Sequence, residues 1–151
     1  MRITEVRVRL VTNGENRLKA FCSMTLDHEF VVRDIKVIEG TGGYFVAMPS
    51  RKMCDHCQTC GGKNHLKARY CNGCGKPLPP NRIQRNPAGE AVLHADIAHP
   101  INAECRRRIH EQLVAAYEQE VKKSKEPGYR PPELDESDDD AMGSPQWETQ
   151  V

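Results

Sequence analysis

Hydrophobic and polar positions alternate along the first fifty residues. Ile3, then Val6, Val8 and Leu10 fall on one face while Arg7 and Arg9 fall on the other, the period-two pattern of a half-buried strand. Asn13-Gly14-Glu15-Asn16 is a turn signal. A second strand follows with Leu18, Ala20, Cys22, Met24 and Leu26 inward, and Asp27-His28 joins it to a β-branched third strand over Phe30–Ile38. Gly40-Thr41-Gly42-Gly43 turns the chain into a fourth strand, Tyr44 to Met48, stopped by Pro49. Short connections between successive strands predict an antiparallel meander.

The period changes near the end of the chain. Ile101, Cys105, Ile109, Leu113 and Tyr117 recur at four-residue steps, with Ala116 and Val121 beside them. This predicts a helix that starts at the N-cap Asn102, ends by Lys122–Lys125, and lays its apolar stripe on one face of the sheet. The fold class expected is α+β. Ala91–Ala98 reads as a fifth strand, and the segment between it and the fourth strand as an insertion at the tip of a hairpin with arms 44–49 and 91–98. Pro77, Pro79, Pro80 and Pro87 predict an extended tether at the exit of that insertion. The expected divisions are 1–52 with 87–126 for the α+β domain, 53–86 for the insertion, and 127–151 for an acidic, disordered tail.

The insertion carries the chemistry. Cys57-Gln-Thr-Cys60-Gly61 and Cys71-Asn-Gly-Cys74-Gly75 are two Cys-x-x-Cys pairs, each followed by glycine. Two intervening residues let both sulfurs of a tight turn face one ion at about 2.3 Å. The glycine permits the positive φ that turns backbone N–H groups toward the thiolates. Two such turns close a four-cysteine site, expected to hold a structural zinc ion with no open position for a catalytic water. Cys54, His56 and His65 are competing donors; Cys54 lacks the following glycine and reads as a bystander. The run from Cys57 to Leu78 resembles short zinc-ribbon modules, with Asn64, Ala68-Arg69-Tyr70 and Pro77-Leu78 adding to the likeness.

Composition sets bounds on function. Seven cysteines, five of them between 54 and 74, fit a metal in a reducing compartment better than a disulfide framework. The charged N-terminus shows no signal peptide and no apolar run approaches a membrane span, so a cytoplasmic location is expected. The net charge of +1 hides a strong asymmetry. Residues 127–151 hold one base, Arg130, against seven acids, a net of −6 that leaves +7 on the remainder. Residues 50–95 hold eight bases (Arg51, Lys52, Lys63, Lys67, Arg69, Lys76, Arg82, Arg85) against Asp55 and Glu90, or +6 of that +7. Such clustering suits phosphate contact, although lysines and arginines also keep small modules soluble. Arg106-Arg107-Arg108 lie off the helical stripe and read either as a solvated face or as further contacts. Tyr70 either stacks on a base or packs on the ribbon's own core. The acidic tail is expected to fold back on the basic module and compete with nucleic acid, so that deleting 127–151 tightens binding at low salt.

Three separated blocks resemble one family. Phe30-Val-Val-Arg-Asp-Ile-Lys-Val-Ile38, Phe45-Val-Ala-Met-Pro-Ser50-Arg51 and Asp96-Ile-Ala-His-Pro-Ile-Asn102 are similar to the signature of SpoVG, the bacterial septation regulator, as is the opening Met1-Arg-Ile-Thr4. The resemblance covers roughly 1–52 and 87–120. It implies a small α+β fold, dimerisation through strands, DNA and RNA binding, and a link to sporulation and septum formation. It also implies nucleic-acid contact at Arg51 and Lys52, which follow the Met-Pro-Ser turn. The family's loop at this place is short, whereas here it carries the ribbon, and the acidic tail is also additional. The expected function is a non-enzymatic, homodimeric regulator that binds DNA or RNA. Its contacts would be Arg51, Lys52, Lys63, Lys67, Arg69, Lys76, Arg106 and Arg107, with zinc on Cys57, Cys60, Cys71 and Cys74. No small-molecule substrate, catalytic residue or membrane is expected; the Asp96/His99 pair reads as a structural hydrogen bond. The alternative is a cell-division adaptor that uses the ribbon as a docking surface for another protein.

Overall fold

The computed structural model describes residues 1–12 and 16–133. Asn13, Gly14 and Glu15 of the predicted first turn, and the acidic tail from residue 134 onward, lie outside the described residues. The described residues form two compact units, one of Met1–Ala47 with those from Pro100 onward, the other of Met48–His99.

The first unit has the expected α+β fold class; residues 48–52 and 87–99, placed in that domain by the sequence reading, fall in the second unit. Strands β1 (Ile3–Leu10), β2 (Leu18–Leu26), β3 (Phe30–Gly40) and β4 (Gly43–Ala47) form a four-stranded antiparallel sheet in chain order. The meander is the predicted one, and its irregularities explain the phase breaks in the sequence pattern. The register slips between Ile3 and Glu5, which lets Val6, Val8 and Leu10 share a face although Ile3 is three residues from Val6. A second slip sets Cys22 opposite Ile35 and Met24 opposite Val32. The extra residue is absorbed at Asp34, whose φ is 57°, so Val32 and Ile35 are both buried despite their odd spacing. Asp27 and His28, at φ 50° and 57°, form the two-residue turn with positive φ at both positions that matches strand twist. Its backbone is held by the start of β1: Arg2 N–H donates to Asp27 Oδ1, and His28 N–H to Thr4 Oγ1.

Helix α1 (Ala103–Ser124) packs against β1, β3 and β4. Asn102 Oδ1 accepts from Cys105 N–H at 2.8 Å, satisfying one of the orphan donors of the first turn. Glu104 in the first turn and Lys122 and Lys123 in the last complement the helix dipole. Ile109, Leu113 and Tyr117 are the buried stripe. They close a core with Val8, Ala20, Cys22, Met24, Val32, Ile35 and Val37. Tyr117 meets Tyr44 edge-on at 5.0 Å, and His110 Nε2 lies 2.9 Å from the Tyr44 carbonyl. Burial pushes the Cys22 thiol up to about 12, so it is a neutral core group as expected. Ile101 is a correction: it is 90 % exposed, because it precedes the cap and never enters the helical phase. Cys105 is only half-buried.

The second unit is built of short ladders. Strand β5 (Ser50–Lys52) pairs with β10 (His94–Asp96), β6 (Cys54–His56) with β7 (Lys63–His65), and β8 (Gln84–Arg85) with β9 (Ala91–Val92). The hairpin arms are therefore 50–52 and 94–96, not 44–49 and 91–98. Pro49 has no N–H to offer a ladder, and the pairing begins beyond it, with Ile97 N–H donating to the Pro49 carbonyl. The predicted fifth strand splits because its first two residues fold back on Gln84–Arg85 around a turn closed by Gly89 at φ +80°. The exit is not a plain extended tether. After Pro79-Pro80 the chain reverses at Asn81, φ 64°, and sends Arg82 back into the module. Asp96 and His99 are both exposed, and neither side chain makes a hydrogen bond among the described residues; the predicted structural bond between them is not formed.

Candidate metal centre and basic surface

Cys57 and Cys60, and then Cys71 and Cys74, sit on two turns built alike. In each, the glycine after the second cysteine takes positive φ, Gly61 at +73° and Gly75 at +74°. Its N–H donates back to the carbonyl of the first cysteine, Gly61 to Cys57 at 2.8 Å and Gly75 to Cys71 at 3.0 Å. The first cysteine's N–H closes the turn from the other side: Cys57 donates to the Gly62 carbonyl and Cys71 to that of Lys76, both at 2.8 Å. The pairing His56↔Lys63 across one turn is matched by Tyr70↔Pro77 across the other, each member shifted by fourteen residues. The sequence repeat is thus a structural one.

The two turns bring their sulfurs together. All four Sγ atoms lie within 4.8 Å of one another, with Cys60–Cys71 at 3.5 Å and Cys57–Cys74 at 3.9 Å. Four sulfurs at about 2.3 Å from a tetrahedral ion stand about 3.8 Å apart, so the cluster has the dimensions of a closed four-thiolate site. Close approach of backbone is part of the design. A Cβ on Gly62 would lie 3.1 Å from Cys60 Sγ, and one on Gly73 3.4 Å from the same sulfur.

Amide donors surround the sulfurs as they would surround anions. Gly62 N–H donates to Cys60 Sγ, and Gly73 and Cys74 N–H to Cys71 Sγ. The Cys74 N–H, followed by the Asn64 side chain, holds the Cys71 thiol down at about 5. Cys57 is also held below its usual value, chiefly by the Cys60 N–H. At Cys60 the pull of the Gly62 N–H is outweighed by the neighbouring sulfurs of Cys71 and Cys74, and the thiol rises to about 11. Four thiolates at van der Waals distance repel one another; a dication at their centre removes that repulsion. The competing donors stand aside. Cys54 Sγ is directed at the Lys52 carbonyl, His65 Nδ1 accepts from Lys67 N–H, and His56 faces solvent; none of the three belongs to the cluster.

Two residues whose role the sequence did not single out hold this centre. Asn64 is 3 % exposed. Its amide donates to the Gly62 carbonyl and Cys71 Sγ, while its Oδ1 accepts from Asn72 N–H at 2.7 Å, tying one turn to the other. Arg82 pairs with Asp55 and donates to the carbonyls of His65, Leu66 and Ala68. Its side chain is 10 % exposed. No spacing rule distinguishes such an arginine from its surface neighbours, and only the fold reveals that one of the eight bases is internal.

The remaining predicted contacts are placed as follows. Arg51 and Lys52 are exposed on β5, Lys63 on β7, and Lys67, Arg69 and Lys76 on or beside the second turn. Asp55 is the single acid between 53 and 86 and is neutralised by Arg82, so no carboxylate within this stretch faces those lysines and arginines. Tyr70 is 64 % exposed, which goes against the alternative that it packs on the ribbon's own core; the interior of the module is taken by Cys57, Asn64, Leu66 and Cys71. In the other unit, Arg107 is paired with Glu111 one helical turn on. Arg106 lines an open cleft with Pro100, Ile101 and His110. No helix among the described residues is long and apolar enough to cross a membrane.

Comparison with known proteins agrees with the fold and with the three sequence blocks. The SpoVG family profile matches residues 1–119. A septation protein SpoVG of Caldanaerobacter subterraneus is 40% identical over 118 residues, covering 78% of this chain and 89% of the relative. That of Clostridium acetobutylicum is 40% identical over 118 residues, covering 78% and 85%. That of Desulforudis audaxviator is 40% identical over 118 residues, covering 78% and 92%. With the β-meander, its covering helix and this match across most of its length, the chain belongs to the SpoVG family.

Proposed function

We propose that this chain is a homodimeric regulator of septation type that binds DNA or RNA through phosphate contacts, without catalysis, and that its four-cysteine centre holds one structural zinc ion. Family membership supports the septation role, since the relatives carry that name. Four soft thiolates at tetrahedral spacing favour zinc, and their closure leaves no coordination position for water. The ion would be gripped by Cys57, Cys60, Cys71 and Cys74, and its work is to fix the two turns.

The observation that carries the nucleic-acid reading is the uncompensated charge on those turns. Lys63, Lys67, Arg69 and Lys76 are exposed around a centre whose one acid is consumed internally, and Arg51 and Lys52 add to them in the same unit. Phosphate contacts release counterions, so binding weakens steeply with salt, by a slope of about −0.9 per neutralised phosphate on duplex DNA. Dimerisation is supported by β4, an edge strand whose Phe45 is 49 % exposed, and by the strand-mediated pairing that the family resemblance implies. Two copies of each basic element would then serve one target.

The test is an anisotropy titration across salt. Charge reversal at Arg51, Lys52, Lys67 and Arg69 is expected to weaken binding and flatten the salt slope. Affinity indifferent to salt and to those reversals rules the reading out. Metal analysis of the purified chain is expected to return one zinc per chain.

A further inference from the structure

The fold exposes one aromatic ring where its own architecture forbids that ring to pack. Tyr70 immediately precedes the ligand Cys71, and its backbone is bridged to Pro77. Cys71 is buried and directed at the sulfur cluster. Successive side chains of an extended segment point to opposite sides, so Tyr70 is turned away from the centre. It is 64 % exposed, and its hydroxyl makes no hydrogen bond among the described residues. His56 occupies the same position in the first turn, one residue before Cys57 and opposite Lys63, and is likewise exposed. Outward display at this position is therefore a property of the repeat rather than an accident of one loop.

The backbone that carries the ring is also held. Leu78 N–H donates to the Arg69 carbonyl and Cys71 N–H to the Lys76 carbonyl, one on each side of the Tyr70–Pro77 bridge. The loop that leads to it is gripped by Arg82 through the carbonyls of His65, Leu66 and Ala68. A tyrosine on a fixed backbone has only its own side-chain rotations to lose when something lies on its face. Around it in the chain are the exposed bases Lys67, Arg69 and Lys76, with no unneutralised acid between 53 and 86.

We infer that Tyr70 is a stacking platform for an unpaired base, with Lys67, Arg69 and Lys76 on the flanking phosphates, so that the ribbon prefers single-stranded nucleic acid. The inference rests on the nucleic-acid reading above and gives it a strand class. An exposed ring on a fixed backbone inside a positive surface is the combination that single-strand binders use, and it is tolerant of sequence because every base has a π-face. A paired base keeps both faces in its own stack and has none to offer. An acidic protein would satisfy the lysines and arginines but would leave the ring without a matching partner.

The test compares the zinc-loaded full chain with Tyr70→Ala and Tyr70→Phe on a fluorescent 12-mer of deoxythymidine and on a duplex of the same length, at fixed salt. Zinc content and thiol protection check that each variant keeps its centre. The wild type is expected to prefer the single strand. Tyr70→Ala should lose about 5- to 150-fold on it, the range given by one stacked base, with little change on the duplex. Tyr70→Phe should remain close to wild type, because the face and not the hydroxyl is used. Unchanged single-strand affinity in Tyr70→Ala, or an equal loss on both forms, overturns the inference while leaving phosphate binding intact. A wild type that binds neither form overturns the nucleic-acid reading itself, and retention of a protein partner by the same surface would then take its place.

Discussion

Replacing Asn64 with alanine removes a buried side chain that joins both cysteine turns. The substitution deletes the bonds to the Gly62 carbonyl and the Asn72 N–H, at 3.1 and 2.7 Å, together with the donor to Cys71 Sγ. Each neutral bond is worth about 0.5–1.5 kcal/mol, so the two backbone bonds put the loss at about 1–3 kcal/mol. Where that loss falls on the metal-bound arrangement it corresponds to a fall in metal affinity of about 5- to 150-fold, as in sites whose folding is coupled to the ion. The third bond acts on protons. Asn64 is the second-largest cause that keeps the Cys71 thiol low, after the Cys74 N–H, so its removal raises that thiol and shifts acid release of the metal to higher pH. Chelator competition measures the first effect, and metal release followed against pH the second. Metal affinity within about twofold of wild type, with an unmoved release midpoint, refutes the account of Asn64 as a clasp.

Acidification gives an independent check on the native chain. Cys71 has a depressed folded value of about 5, so its contribution is complete above the unfolded thiol value, near 8.5, and is lost as pH falls through about 5. For the metal-free chain this contribution to stability is expected to fall away between about pH 7 and pH 5; stability unchanged across that window contradicts it. Arg82→Met removes the partner of the half-exposed Asp55 and the side-chain donor to the carbonyls of His65, Leu66 and Ala68. It is expected to destabilise the second unit by about 1–3 kcal/mol, chiefly through the lost carbonyl bonds, and to open the 65–68 loop to proteolysis; an unchanged cleavage pattern argues against it. Gly62→Ala places a Cβ 3.1 Å from Cys60 Sγ and should weaken metal binding, whereas Gly42→Ala, with open space around it, should not. In the other unit Leu113→Ala, at a fully buried position, is expected to cost about 2–5 kcal/mol in denaturant titration, and a loss below about 1 kcal/mol would remove Leu113 from the core.

Much of this protein is legible before any coordinates. The alternation of Val6, Val8 and Leu10, the inward set of the second strand and the four-residue steps of Ile109, Leu113 and Tyr117 are local periodicities. A strand or helix with one apolar face can bury it in only a few ways. The four-cysteine cluster is equally local: the Cys-x-x-Cys-Gly turn is made by consecutive residues, and the glycine at φ +73° or +74° is demanded by the turn itself. What the chain order could not settle depends on groups distant in sequence. Whether residues 91–98 form one strand or two was decided by competition between Gln84–Arg85 and Ser50–Lys52 for the same segment. Which of eight bases turns inward was decided by where Asp55 and the carbonyls of His65, Leu66 and Ala68 converge, and Arg82 is the base that reaches them. Whether Tyr70 serves the interior or the surface was decided by its neighbour Cys71, whose commitment to the sulfur cluster turns the ring outward. Periodicity fixes which faces are apolar; only the assembled chain fixes which polar groups must satisfy one another, because a hydrogen bond needs its partner within about 3 Å and sequence carries no such distance.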